Sequence, residues 1–180
     1  MKLFKKYIQE KLDIPKKKWT VVPLSSLDKE TRHKLWDMYV NTYQSIGLHI
    51  ENSGKLTSKY KVSWLIDTDS DPEPDAFIIY KETNYGKKIA LAGSDGSKLN
   101  KRLLIKKTVE LLKTKGWYSE ASLKVADILK AKGVNVIKDM NLIKKVLKKH
   151  DIISIEGNEG YYKRKLGTMG IVKKQLFGII

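Results

Sequence analysis

Ile89-Ala90-Leu91-Ala92-Gly93-Ser94-Asp95-Gly96-Ser97-Lys98-Leu99 is the stretch that decides the fold. Ile89 to Ala92 is an apolar run of strand length, and Gly93 to Ser97 is a turn. A basic helix follows with Leu99, Leu103, Leu104, Thr108, Leu111 and Leu112 at helical spacing before Gly116 ends it. Glycines let a backbone come close to an anion, and the free N–H groups and positive dipole end of a helix supply the attraction. Ala92, Gly93, Ser94, Asp95, Gly96, Ser97 and Lys98 are therefore the expected cradle for a pyrophosphate. A second strand near Tyr118 and a shorter helix reaching Gly133 follow.

Upstream, Trp19 to Leu24 is rich in β-branched and aromatic residues and reads as a first strand closed by Pro23. From Asp28 to Ile46, Leu35, Tyr39, Tyr43 and Ile46 share a helical face, and Gly47 is a natural stop. Leu48 to Lys61 is polar and reads as a loop or broken helix. Val62 to Ile66 and Ala76 to Lys81 read as partner strands across an acidic turn, Asp67 to Asp75. Tyr85 to Lys88 turns into the strand ending at Ala92, which completes an antiparallel meander. Downstream, Asp139 caps a helix carrying Met140, Ile143, Val146 and Leu147. A closing hairpin is expected from Ile152–Ile155 and Tyr161–Leu166, turning at Gly157 to Gly160. Residues 1–18 read as a basic amphipathic helix or arm ended by Pro15, and 19–180 as one domain. The fold class is α+β, a mixed and mostly antiparallel sheet around a central helix.

Composition narrows the function. The chain has 180 residues and no cysteine, which excludes disulfides and thiolate chemistry, and its three histidines, at 33, 49 and 150, are too scattered for a zinc site. No metal is expected. No apolar run approaches the roughly 18 residues of a membrane span, and Met1 to Lys6 lacks the apolar core of a secretory signal, so the expected setting is cytoplasmic, with no membrane partner. The formal net charge is +16, which predicts a polyanionic partner such as nucleic acid, bound with steep salt dependence. Only Arg32, Arg102 and Arg164 among the 36 basic residues are arginine, so phosphates would be neutralised rather than bases read.

The element order and two motifs resemble the N-acetyltransferase superfamily that uses acetyl-coenzyme A, the GNAT fold. Gly93-Ser94-Asp95-Gly96-Ser97-Lys98 stands where that family has Arg/Gln-x-x-Gly-x-Gly/Ala. Glu120 to Val134 is similar to its next strand and helix, with Ala126 and Gly133 in register. The resemblance covers about Trp19 to Gly178. It implies splayed fourth and fifth strands, acetyl-coenzyme A or another acyl-coenzyme A held by the turn, and acyl transfer to an amine. At the place of the family's thiolate-protonating tyrosine stands Leu129, so Tyr118, Tyr161 and Tyr162 are the candidate acids, unless the thiolate leaves unassisted.

Acyl transfer needs no covalent nucleophile, only a proton acceptor for the amine and donors for the oxyanion. Glu120, at the end of the strand beside the splay, is the first choice for the base, a role that would work best with its pKa raised by burial against Trp117 or Tyr118; the alternative is that it pairs with a nearby lysine. Tyr39, Tyr43, Asp67, Asp75 and Arg164 are candidate acceptor contacts, the acceptor being an amine on an anionic or nucleotide-linked molecule. Asp67-Thr68-Asp69-Ser70-Asp71 opens like a calcium loop, yet Pro72 and Ile78 stand where that loop needs Gly and Glu. No Gly-x-x-x-x-Gly-Lys-Ser/Thr motif is present for nucleotide hydrolysis. Tyr161-Tyr162-Lys163-Arg164-Lys165 interleaves rings and cations as unpaired bases require, and also as any half-buried strand does. The reading from another class is a noncatalytic nucleic-acid-binding or virion-associated protein on the same scaffold.

Overall fold

A computed structural model describes residues 18–45, 62–68, 71–147, 153, 160–165 and 170–180. Its strands are β1 (Lys18–Val22), β2 (Val62–Thr68), β3 (Asp71–Thr83), β4 (Gly86–Ser94), β5 (Trp117–Ser122), β6 (Tyr161–Lys165) and β7 (Ile171–Ile179). Its helices are α1 (Lys29–Gln44), α2 (Lys98–Leu112), α3 (Leu123–Ala131) and α4 (Met140–Val146). The helix expected before Pro15 and the polar connection after Gly47 lie outside the described residues.

One sheet runs in the order β1-β2-β3-β4-β5-β7-β6. Its neighbours are antiparallel throughout except at β4 and β5, which are parallel. Hairpins join β2 to β3 and β3 to β4, whereas the connection from β1 to β2 carries α1. A parallel pair needs a crossover, and α2 provides it. Helices start where the sequence signals them: the carboxylate of Asp28 accepts from the Thr31 N–H at 2.7 Å, and Asp139 accepts from the N–H groups of Asn141 and Leu142. The expected fold class, a mixed and mostly antiparallel α+β sheet with helices packed on it, is the one that forms.

Alternation in β3 divides the core. Ala76, Ile78 and Tyr80 pack with Ile89, with Leu104, Leu111 and Leu112 of α2, and with Ala126 and Leu129 of α3. Phe77 and Ile79 point the other way, onto Leu24 and Leu35 under α1. Next to the α1 cluster on that face, Tyr118, Tyr162 and Leu176 meet Ile143 and Leu147 around α4.

Two expectations change. The acidic turn Asp67 to Asp75 is largely strand, because β2 and β3 continue to a Thr68↔Asp71 pair with a register shift after Ile66. The bulge absorbs what the two prolines, Pro72 and Pro74, would deny a regular ladder. The closing hairpin is β6 with β7, not β6 with Ile152–Ile155. Ile171–Ile179 gives no strand signal in the sequence because it lacks clean alternation: β7 lies between β5 and β6, and Gln175, Leu176, Phe177 and Gly178 are buried or tightly packed in succession. Of the residues expected in the first arm of the hairpin, Ile153 packs against the α4 cluster and the others lie outside the described residues.

Candidate active site

β4 and β5 pair only at Lys87↔Trp117, Lys88↔Tyr118 and Ile89↔Ser119, then part. The divergence coincides with a bulge: Tyr80 lies opposite Ile89 but Ile79 lies opposite Leu91, which leaves Ala90 as the extra residue. A bulge increases twist and re-aims the strand. The gap opens on a cavity of about 180 Å³, comparable with the roughly 150 Å³ that accepts a benzene ring in an engineered core. Its walls are Ile89 to Ala92 of β4, Ser119 to Ala121 of β5, Leu104, Ile105, Thr108 and Leu112 of α2, and Val125, Ile128 and Leu129 of α3. Thr42, Tyr43 and Ser45 line it at the end of α1, and Lys101 is the cation in its wall. Among the described residues, no strand pairs with the β4 edge beyond Ile89 on this side.

The Gly93 to Lys98 turn adjoins this cavity rather than walling it; of the expected cradle, only Ala92 is in the wall. Gly93 is required by packing, since a Cβ there would stand 2.8 Å from the Phe77 ring and 2.9 Å from the Tyr39 backbone nitrogen. Ser94 is fully buried, and the Thr42 hydroxyl both accepts from its N–H at 2.9 Å and donates to its C=O at 3.4 Å, standing in for a strand partner. Asp95 donates its N–H to the Asp75 carbonyl at 2.9 Å, and its carboxylate accepts from the Ser97 N–H and the Asn100 side chain, each at 2.9 Å. Ser97 Oγ accepts from the Asn100 N–H at 3.1 Å. Two of the helix-start amides are thus taken by the chain's own oxygens. Those of Gly96, Lys98 and Leu99 have no hydrogen-bond partner among the described residues, and Gly96 sits at φ +95° with open space around it. The first turn of α2 carries no acid, while Lys98, Lys101 and Arg102 stand near its positive end, an arrangement the helix dipole disfavours and a bound anion would relieve.

Glu120 lines the cavity, and its side chain is 5% exposed. Its carboxylate takes Lys88 of β4 on one oxygen and Arg164 of β6 on the other, with Lys174 of β7 at 3.8 Å. Burial pushes the carboxyl up, but the charges of Lys88, Lys174 and Arg164 together outweigh it and hold the pKa at about 2. The raised pKa that would suit a base does not arise, and the alternative, pairing with a lysine, is what forms. Sequence reasoning placed Glu120 beside the gap but could not count its cations, which arrive from three different strands. A carboxylate so held takes up a proton poorly at neutral pH.

The expected acids lie elsewhere. Tyr118 is buried in the α4 cluster with its hydroxyl 2.8 Å from Thr83 Oγ1, and burial raises its pKa. Tyr162 is fully buried in the same cluster, and Tyr161 lies under Lys130, whose Nζ is 5.5 Å from its ring. None of the three lines the cavity. Of the expected acceptor contacts, Tyr43 does line it, Tyr39 packs at a tilt against Tyr43 with ring centres 4.7 Å apart, and Arg164 reaches it through Glu120. Asp75 adjoins the α2 turn through its carbonyl, and Asp67 sits on β2 in register with Lys18. The residues not foreseen, Thr42, Lys88, Lys101 and Lys174, carry no local signal because each works against a partner or wall far away in the chain.

No family model and no curated protein matches the chain. Among solved structures it is similar to the ribosomal-protein-S18-alanine N-acetyltransferase from Escherichia coli, at 9% identity over 90% of this chain and 93% of that one, with a TM-score of 0.48.

Proposed function

We propose that this chain transfers an acyl group from an acyl-coenzyme A, such as acetyl-coenzyme A, to an amine. The observation that carries the reading is the parting of β4 and β5 onto a cavity walled by α2 and α3. The residues fit such a donor in two respects. The unpaired edge from Ala90 to Ala92 offers peptide groups to the amides of a pantetheine arm, and Leu104, Ile105 and Leu129 offer apolar cover to its methylenes. The amides of Gly96, Lys98 and Leu99, with Lys98 and Lys101, would hold a diphosphate, against the opposing charge of Asp95. Acetyl-coenzyme A, when bound, supplies the activated thioester carbonyl. The chain's part is to position it, to exclude water with the apolar wall, and to present the amine from the Glu120 side of the gap, where Lys88, Arg164 and Lys174 favour an acceptor carrying negative charge. The net charge of +16 supports a nucleic-acid-linked or nucleotide-linked acceptor.

Thermal unfolding with and without acetyl-coenzyme A tests this. Ligand at a hundred times its dissociation constant stabilises by about 2.7 kcal/mol. An unchanged unfolding temperature would favour the second reading, a noncatalytic polyanion-binding protein, for which the Asp95 carboxylate already seated at the α2 start speaks. In that case salt-dependent filter binding to nucleic acid gives a steep log–log slope while acetyl-coenzyme A gives no shift.

A further inference from the structure

The helices on the two sides of the sheet are charged differently. α1, with its cap Asp28, sets Lys29, Arg32 and Lys34 against Asp28, Glu30 and Asp37, three cations to three acids; Lys34 lies 3.6 Å from Glu30 and His33 3.8 Å from Asp37. α2, on the opposite side, has five cations and a single acid, Glu110, whose carboxylate Lys107 takes up at 2.6 Å. Lys98, Arg102 and Lys106 recur every four residues, and Lys113 at the C-cap falls back on the same line. All four are exposed, opposite the buried Asn100, Leu104 and Leu111. The ridge they form is about 22 Å long, with cations about 6 Å apart over its first two turns. None of the four makes a salt bridge among the described residues. Lys98, in the first turn, works against the helix dipole, so its charge does not serve the helix itself.

We propose that the outer ridge of α2 is a binding surface for the phosphodiester backbone of duplex nucleic acid. A row of cations at regular spacing with no acid to offset it is complementary to a row of phosphates. Three of the four cations are lysine, which neutralises a backbone without reading its bases. The ridge carries no aromatic side chain on which an unpaired base would stack, which favours a duplex over a single strand. A membrane surface is the other extended anion, but a helix lying on a bilayer inserts its apolar face. That face of α2, with Leu104, Leu111 and Leu112, is buried in the core, and Leu99 is the one exposed leucine of the helix. The proposal rests on neither reading of the cavity, because it concerns the opposite side of α2 from the residues that wall it.

Filter binding of the full chain to a mixed-sequence duplex, made as DNA and as RNA, is the test. Four phosphates neutralised along the ridge give a slope of log affinity against log salt of about −3 to −4. Arg102→Glu combined with Lys106→Glu should flatten that slope by about two and weaken binding on the order of tenfold. The control, Lys29→Glu combined with Arg32→Glu, removes the same charge from the start of α1 and should leave the slope unchanged. The milder pair Arg102→Ala and Lys106→Ala should flatten the slope as the Glu pair does, and urea unfolding checks that each variant folds. Equal losses from the α1 and α2 pairs would show a diffuse field and overturn the ridge. So would failure to bind either duplex, or an α2 effect confined to phosphatidylserine vesicles. Acetyl-coenzyme A is tested in parallel by thermal unfolding: no shift alongside an intact duplex result removes the acyl-transfer reading and leaves the ridge standing.

Discussion

Asp95, just after β4, and Glu120, on β5, are two carboxylates at the same gap, held by opposite means. Asp95 is exposed and takes its bonds from Ser97 and Asn100, within five residues. Glu120 is almost fully enclosed, and two of its partners lie 32 and 44 residues away. The first closes a turn and would do so in a peptide. The second exists only when β4, β5, β6 and β7 are assembled, and then it fastens the strands that diverge above it. A local carboxylate shapes a loop, whereas a distant one reports on the whole sheet.

The comparison breaks most visibly at Glu120. Glu120→Gln leaves buried cations without their counter-charge and lowers stability by about 3 kcal/mol, read from urea unfolding; a loss under about 0.5 kcal/mol would show the cluster to be solvated. The pH dependence has a definite sign. A folded pKa near 2 against an ordinary 4.5 makes the carboxylate stabilising above pH 4.5, and that share disappears as pH falls toward 2. The Gln variant should lack this component of the acid transition.

A smaller effect separates the two glycines of the turn. Gly93→Ala forces a methyl into the Phe77 ring and the α1 backbone and destabilises by about 2 kcal/mol. Gly96→Ala meets open space and only a left-handed φ, at about 1 kcal/mol. Equal losses would mean that α1 shifts to make room. The smallest effect sharpens the functional contrast. Asp95→Asn removes a negative charge from the α2 start and should tighten acetyl-coenzyme A roughly twofold to fivefold by titration. Weaker binding would mean that the carboxylate orders the turn for the ligand rather than opposing it.

Elements with local causes were legible in the chain: the Asp28 and Asp139 caps, the Gly93 to Ser97 turn, the periodic α2 and the meander leading to β4. β7 was not, because an internal strand of mixed polarity shows no alternation. Tyr43 was picked out as an acceptor contact, but nothing in its spacing told a cavity residue from one buried against the sheet.

Sequence alone determined the order of strands and helices as far as α4 and the place where a helix start would meet a turn, since hydrophobic period, caps and glycines act within a few residues. Tertiary structure decided that Lys88, Arg164 and Lys174 close on Glu120, and that Tyr43 rather than Tyr118, Tyr161 or Tyr162 lines the gap. Those outcomes depend on charges and surfaces brought together from distant parts of the chain, and their energies arise only when the sheet closes.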